Sequence, residues 1–507
     1  MNGPTLFFRS ADVDRLKDEA EESKREIWER VLQSAEDWLT QPTDEPDLSR
    51  PWAPYLVSAH TRLRAIRACG LAYLMTDREE FHQRAKQDVE AILQWESWID
   101  PCHEKQGRKY GLMTGLTCAA LAYYLDWCGA AVTDDERSTL SEHIKKKAVA
   151  PLFHDMDKPV PFFKDYVNNW VAVMTGGAGL VSLLYMDEDP SYEEVLQRCV
   201  EHLLRYLRWI NDDGSTDEGG GYWEFGMTNA AILLDALCIN DDRLPAALDE
   251  QSAGEFYKYP RLATTAYFPM YCIQGSQYVV DFGDTRIEDA GRMQQLFAWL
   301  ARVWRSGHFQ WLCDRTPSDH PMTFVWYDPS VAPVPPRDLT PSRRFEGTGW
   351  GVLRSDLEDE NGLLLAVRAG HNAKTHCHFD LGTITLRAGG KGLIIDAGHP
   401  GYSTAYWSQT YGHYGRDTIG HNCILVDGQG QKRGAEEHAE ITELTDDGAT
   451  KRLCIDMRLP GSGIERHRRE ILVELSAEGP DTVRISDDVR LDREARIAWL
   501  FHFEEAA

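Results

Sequence analysis

The stretch "THCHFDLGTITLRAGGKGLIIDAG", residues 375–398, sets two histidines one residue apart before a pair of apolar runs and ends near a lone aspartate. Phe379 to Leu386 and Leu393 to Ile395, separated by Gly389, Gly390 and Gly392, read as two antiparallel strands joined by a tight turn. Residues two apart on a strand share a face, so the pattern predicts that His376 and His378 project together, with Asp396 returning to the level of His378. Farther on, "HNCILVDG" places His421 at the head of another apolar run, within reach of the same sheet end. Two imidazoles and a carboxylate on rigid strands suit zinc and leave a fourth position open. The same residues could equally be polar anchors at a sheet edge.

Outward from this stretch the texture changes once. After about residue 347, short β-rich runs such as "GWGVLRS", "GLLLAVRAG", "RLCIDMRL", "REILVEL" and "TVRISDDVRL" alternate with turn residues, as in an antiparallel β-sandwich over 347–507. Before about 310 the apolar residues recur at helical spacing, as in "LRAIRACGLAYLMTD", "GLTCAALAYYLDW", "VAVMTGGAGLVSLLYMDED", "CVEHLLRYLRWI" and "NAAILLDALCI". The related endings "LAYLMTD" and "LAYYLDW" suggest repeated helical hairpins, and hence an incomplete α/α toroid over 1–313. Pro-rich 314–346 reads as a linker. The expected class is therefore α+β and multidomain.

Composition narrows the functions. With 507 residues, 42% of them hydrophobic, the chain can bury a large core. Its 54 basic and 81 acidic residues give a net charge of −27, which argues against nucleic acid or a polybasic membrane surface as partner. Screening beyond ~8 Å still lets a locally basic pocket take an anion on an acidic body. Eleven scattered cysteines, with no CxxC pair, fit reduced thiols better than a disulfide framework. The N-terminus lacks a basic segment followed by a long apolar core, so neither signal peptide nor membrane span is expected. The default location is the cytoplasm, or the periplasm or exterior had a leader been removed; a homodimer remains open.

A toroid followed by a sandwich carrying HxH, "IIDAG" and "RDTIGHNCILVDG" resembles the heparinase II/III-like polysaccharide lyases, which include alginate, heparin and heparan lyases. "NNWVAVMTGGAGL" at 168–180 and "DGSTDEGGGYWEFG" at 213–226 extend the likeness into the toroid. The resemblance implies an acidic glycan or oligouronide substrate and a mainly structural Zn²⁺ held by His378, Asp396 and His421. It makes His376 a substrate-facing histidine and Asn169 the holder of the uronate carboxylate. Arg416 and Tyr414 lie in a stretch that borders the cleft.

Cleaving a uronate polymer by β-elimination needs a neutralised carboxylate, a base for the C5 proton and an acid for the leaving oxygen. The catalytic candidates are His376, Tyr222, Asn169 and Tyr414; the substrate-binding candidates are Asn168, Trp170, Glu218, Trp223, Tyr411 and Arg416. Two positions depart from the active lyases, which carry a histidine where this chain has Trp170 and a tyrosine where it has Phe225. Tyr222 is the nearest replacement phenol, with Tyr402, Tyr406, Tyr411 and Tyr414 as others. Plainer roles stand beside these: a helix N-cap for Asn168 or Asn169, packing for Tyr222 and Trp223, and an ion pair with Asp417 or Asp396 for Arg416. His399, His413 and His438 have no spacing that raises them above surface residues. Two other functions stay open: a non-catalytic saccharide binder, and a toroid glycoside hydrolase using Asp217, Glu218 or Glu224.

Overall fold

Helices Leu112–Trp127, Asn169–Tyr185 and Gly219–Ile239 are apolar all round and bury nearly every residue, whereas Arg25–Thr40, Glu79–Gln94 and Ser191–Trp209 bury one stripe each. Fully apolar helices need neighbours on every side and amphipathic ones need a single covered face. The result is an inner layer of buried helices backed by an outer layer, the construction of an α/α toroid. The computed structural model describes residues 3–43, 45–50, 52–158, 160–245, 248, 259–396, 398–399, 401–402 and 414–504. Leu112–Trp127 and Asn169–Tyr185 approach so closely that a Cβ on Gly177 would strike the Gly115 carbonyl.

The sandwich holds two five-stranded antiparallel sheets. One runs Arg343–Phe345, Trp350–Arg354, Leu364–Arg368, Ile384–Ala388, Lys391–Ile394, and the other Thr482–Leu491, Ile464–Glu474, Thr450–Leu459, His438–Asp446, Gly370–His371. Ile424–Val426 pairs separately with Ile497–Trp499. Leu353, Leu365, Ile441, Ile455 and Ile471 fill the space between the sheets. The helical core continues into the sandwich through Phe345, Trp350, Val352 and Leu364, so one apolar body spans both domains.

Two expectations need correction. Residues 314–346 are not a bare linker: the buried helix Pro321–Trp326 packs into the helical core and Arg343–Phe345 already pairs with Trp350–Arg354. The hairpin forms with Leu386 opposite Ile394, but its first strand begins only at Ile384. His376 and His378 therefore precede the strand, in a turn where His376 takes a left-handed φ of 56°. They share a partner and not a strand face.

Candidate active site

That partner is Asp284, from the helical domain. Its Oδ2 lies 2.6 Å from His376 Nδ1 and its Oδ1 lies 3.1 Å from His378 Nε2 and from His399 Nδ1. The Asp284 backbone N–H also donates to the His376 carbonyl at 3.1 Å, which ties the left-handed turn to the toroid. Burial opposes a charge on Asp284, yet hydrogen bonds from His376, His378 and His399 outweigh it and hold the carboxyl well below its usual range.

Two phenols complete this side. The Tyr222 ring stacks on His376 with centroids 3.7 Å apart. The Tyr402 hydroxyl donates to Asp284 Oδ2 at 2.9 Å, lies 3.2 Å from His376 Nδ1, and hydrogen-bonds the Tyr222 hydroxyl. Burial pushes the Tyr222 phenol well up, helped by the Asp284 charge, so it stays protonated at neutral pH.

On the other side of His376, Nε2 lies 3.3 Å from Glu218 Oε1 and 3.5 Å from Asn169 Nδ2. Asn168 is the helix cap, accepting from Trp170 N at 3.0 Å, and Asn169 is the first helical residue. Asn169 donates to Glu218 from both its backbone N and Nδ2, each at 2.8 Å. Burial raises the Glu218 carboxyl, against the pull of His376 and the Asn169 donors. Burial likewise works against a charge on His376, but the Asp284 hydrogen bond and the charges of Glu218 and Asp284 prevail and raise it. Asn169 and Glu218 are 0% and 2% exposed, so they support His376 from beneath the cavity wall. The expectation that Asn169 grips a substrate carboxylate directly does not match this burial.

The cavity above them measures ≈ 970 Å³ and lies between toroid and sandwich. Its described lining includes eight Lys and Arg side chains, among them Arg67, Arg108, Arg292, Lys374 and Arg416, against the four carboxylates Glu224, Asp284, Asp289 and Asp319. Trp170 lines it, stacked on Phe162 at 4.6 Å with Arg108 4.8 Å from its ring centre. Phe225 lines it beside His60.

Other expected residues lie elsewhere. Trp223 is 0% exposed, donates to Thr265 Oγ1 and packs on Phe297, so it belongs to the core and not the cleft. Tyr414 is 55% exposed against His502, outside the cavity lining, which removes its catalytic assignment. Tyr406, Tyr411 and His413 fall outside the described residues. Asp217 is held by Lys374 at 2.6 Å.

His378, Asp396 and His421 do converge, with one ligand atom of each within 4.8 Å of the others. His421 Nδ1 pairs with Asp396 Oδ2 at 2.9 Å, while its buried Nε2 has no hydrogen-bond partner among the described residues. Burial opposes a charge on His421, but Asp396 outweighs it and lifts the ring to about 8. Asp284, His378 and His399 form a second such group sharing His378. Asp284 and His399 went unrecognised in the sequence because Asp284 lies 92 residues from His376; "DFGD" and "AGHPGY" are the only local signals.

The neighbouring Asn422 is structural. Its Nδ2 donates to the Ile384 and Ile395 carbonyls, both at 2.8 Å, clamping the strands that flank the site.

The family model described as "Heparinase II/III-like, C-terminal" matches residues 337–507. Residues 337–507 are a heparinase II/III-like C-terminal domain. The likeness of fold extends past this domain. A heparinase III crystal structure superposes with TM-score 0.66 at 16% identity, over 100% of this chain and 76% of the other. The heparan sulfate lyase HepC of Pedobacter heparinus gives 0.54 at 14% identity, over 98% and 80%. A search of curated proteins found no match. The heparinase II/III-like domain supplies His376, His378, His399, Tyr402 and Asp396, and the helical domain supplies Asn169, Glu218, Tyr222 and Asp284.

Proposed function

We propose that the protein is a polysaccharide or oligosaccharide lyase that cleaves a uronate-containing glycan by β-elimination. The observation that carries this reading is the constellation around His376, with Tyr222 stacked on it and Tyr402 bridging both to Asp284, at the wall of a cation-rich cavity. The relatives of like fold are a heparinase III and a heparan sulfate lyase, which agrees with an acidic substrate.

Each step has a residue. Arg416, in the cavity wall, neutralises the uronate carboxylate and so makes the C5 proton acidic. His376, with Nδ1 held by Asp284, is the base for that proton, and because its neighbours raise its pKa the neutral, proton-accepting form gains as pH rises. Tyr222 keeps its proton at neutral pH and gives it to the leaving glycosidic oxygen, with Tyr402 to resupply it. Asn169 and Glu218 fix the ring from beneath.

The donor set of His378, Asp396 and His421 fits zinc: two buried imidazoles and a carboxylate within reach of one ion, one ring nitrogen lacking any other partner among the described residues. When bound there, zinc would brace the loop that presents His376.

Turnover is read as the ultraviolet absorbance of a new conjugated double bond across alginate, heparan, chondroitin and glucuronan oligomers. His376→Ala and Tyr222→Phe should each lower that rate by ~10²-fold or more with the fold intact. Binding without any product on the whole panel would instead favour a saccharide-binding protein, to which Trp170 and Phe225 would be suited. Saturated products would mean a hydrolase.

A further inference from the structure

We infer that the cavity contains a second anion-binding subsite, formed by Arg64, Arg67 and Arg292, which takes a carboxylate or sulfate of the glycan at a sugar removed from the scissile bond. The inference rests on the acidic-glycan reading above and adds to it a requirement for a chain of several sugars.

The spacing comes from one helix. Tyr222, Phe225, Asn229 and Ile232 of Gly219–Ile239 all line the same cavity. Ten residues at 1.5 Å each make a wall of about 15 Å, longer than one sugar ring. Tyr222 at one end stacks on His376. Phe225, one turn along, touches His60 with ring centroids 5.3 Å apart. His60, Arg64 and Arg67 are i, i+4 and i+7 on helix Pro54–Thr76, so they share one face, and all three line the cavity. Arg292 arrives from the separate turn Ile287–Arg292.

The protein balances these charges only in part. Among the described residues no carboxylate lies within ion-pairing distance of Arg67, and its buried Nε has no hydrogen-bond partner. Its guanidinium sits 5.8 Å from the Tyr123 ring centre. Arg64 has only the half-exposed Asp319 at 3.9 Å, and Arg292 has Asp289 at 3.3 Å. Glu224, the remaining carboxyl, accepts from Thr228 and Gln295 and is pushed by burial up to about 7, so it adds less than a full negative charge. Burial keeps His60, lowered to about 4, uncharged at neutral pH and suited to sugar hydroxyls. A part-buried guanidinium facing a cavity without a counter-charge is stabilised by an anion from outside.

The test compares uronate disaccharides with tetrasaccharides, sulfated and unsulfated, on the full chain. Arg67→Gln should raise KM for a tetrasaccharide at least ten-fold more than for a disaccharide, and Arg292→Gln, at an exposed position, should do so in the same direction. A preference lost only on sulfated chains assigns sulfate as the anion; one lost on both assigns the carboxylate. Equal effects on the two lengths in both variants would overturn the subsite. Calorimetric affinity for the same oligosaccharides reads the subsite even where no bond is cut, so failure of the lyase chemistry is told apart from failure of this inference. Absence of binding by the parent protein to every oligosaccharide would overturn both.

Discussion

At the scale of the residue, Asp284 explains why two histidines one apart need not lie on a strand to act together. Its oxygens take His376 on one side and His378 and His399 on the other, so a single carboxylate from the helical domain orients the His376 ring and the inner cluster alike. Tyr402 occupies the remaining donor direction on Oδ2 and passes it to Tyr222. Tyr402→Phe removes that one bridging hydroxyl and almost no volume. It should cut kcat by ~10- to 10²-fold with little change in thermal midpoint; an unchanged kcat would separate Tyr402 from the chemistry. The HxH motif, Tyr222 and the convergence of His378, Asp396 and His421 were legible because their neighbours in sequence are distinctive. Asp284 and His399 were not, because folding and not spacing brings them in. Trp223 was misread because an aromatic in a Gly-rich stretch looks the same whether it faces the cleft or, as here, Thr265 and Phe297.

At the scale of the element, the inner helices show what periodicity can and cannot tell. Runs such as "NAAILLDALCI" announce helices, but a helix apolar on every side hides which face meets which neighbour; small residues decide that instead. Gly177 meets the Gly115 carbonyl, so Gly177→Ala forces two buried helices apart. A loss of about 1–3 kcal/mol is expected from chemical denaturation, and a neutral result would mean that the helices adjust freely. Asp126, on Leu112–Trp127, accepts from the Thr5 and Leu6 backbone at 2.7 and 3.0 Å, which pins the N-terminal segment. Burial lifts its carboxyl from 3.8 to about 7. The folded protein therefore keeps a proton that the unfolded chain releases, and this group's contribution is full below pH 3.8 and is lost as pH rises to about 7. Asp126→Asn keeps the accepting oxygen and cannot titrate. Relative to the parent, its denaturation midpoint should improve from pH 4 to about pH 7 and level off above that; a constant difference across the range would mean that Asp126 is ionised throughout.

For the whole molecule, the decisive fact is that the site belongs to neither domain alone. The toroid contributes Asn169, Glu218, Tyr222 and Asp284, the sandwich contributes His376 and Tyr402, and a continuous apolar core fixes their relation. The division into a helical and a β part was visible in the sequence; the depth of their union was not, because Phe345 and Trp350 give no sign of packing on Phe268 and Phe282. A zinc at His378, Asp396 and His421 would act at this junction, since His378 also holds Asp284 and so reaches the toroid. Its removal should be felt first as a loss of rigidity around His376 and only then as a loss of rate. Elemental analysis of protein purified without chelator is expected to find about one zinc per chain. Treatment with chelator should lower the thermal midpoint, and His421→Ala should abolish the metal and reproduce that lower midpoint without chelator. Should the protein contain no divalent metal and His421→Ala melt like the parent, the triad is a hydrogen-bonded cluster, and the bracing of His376 rests on Asp284, Asn169 and Glu218.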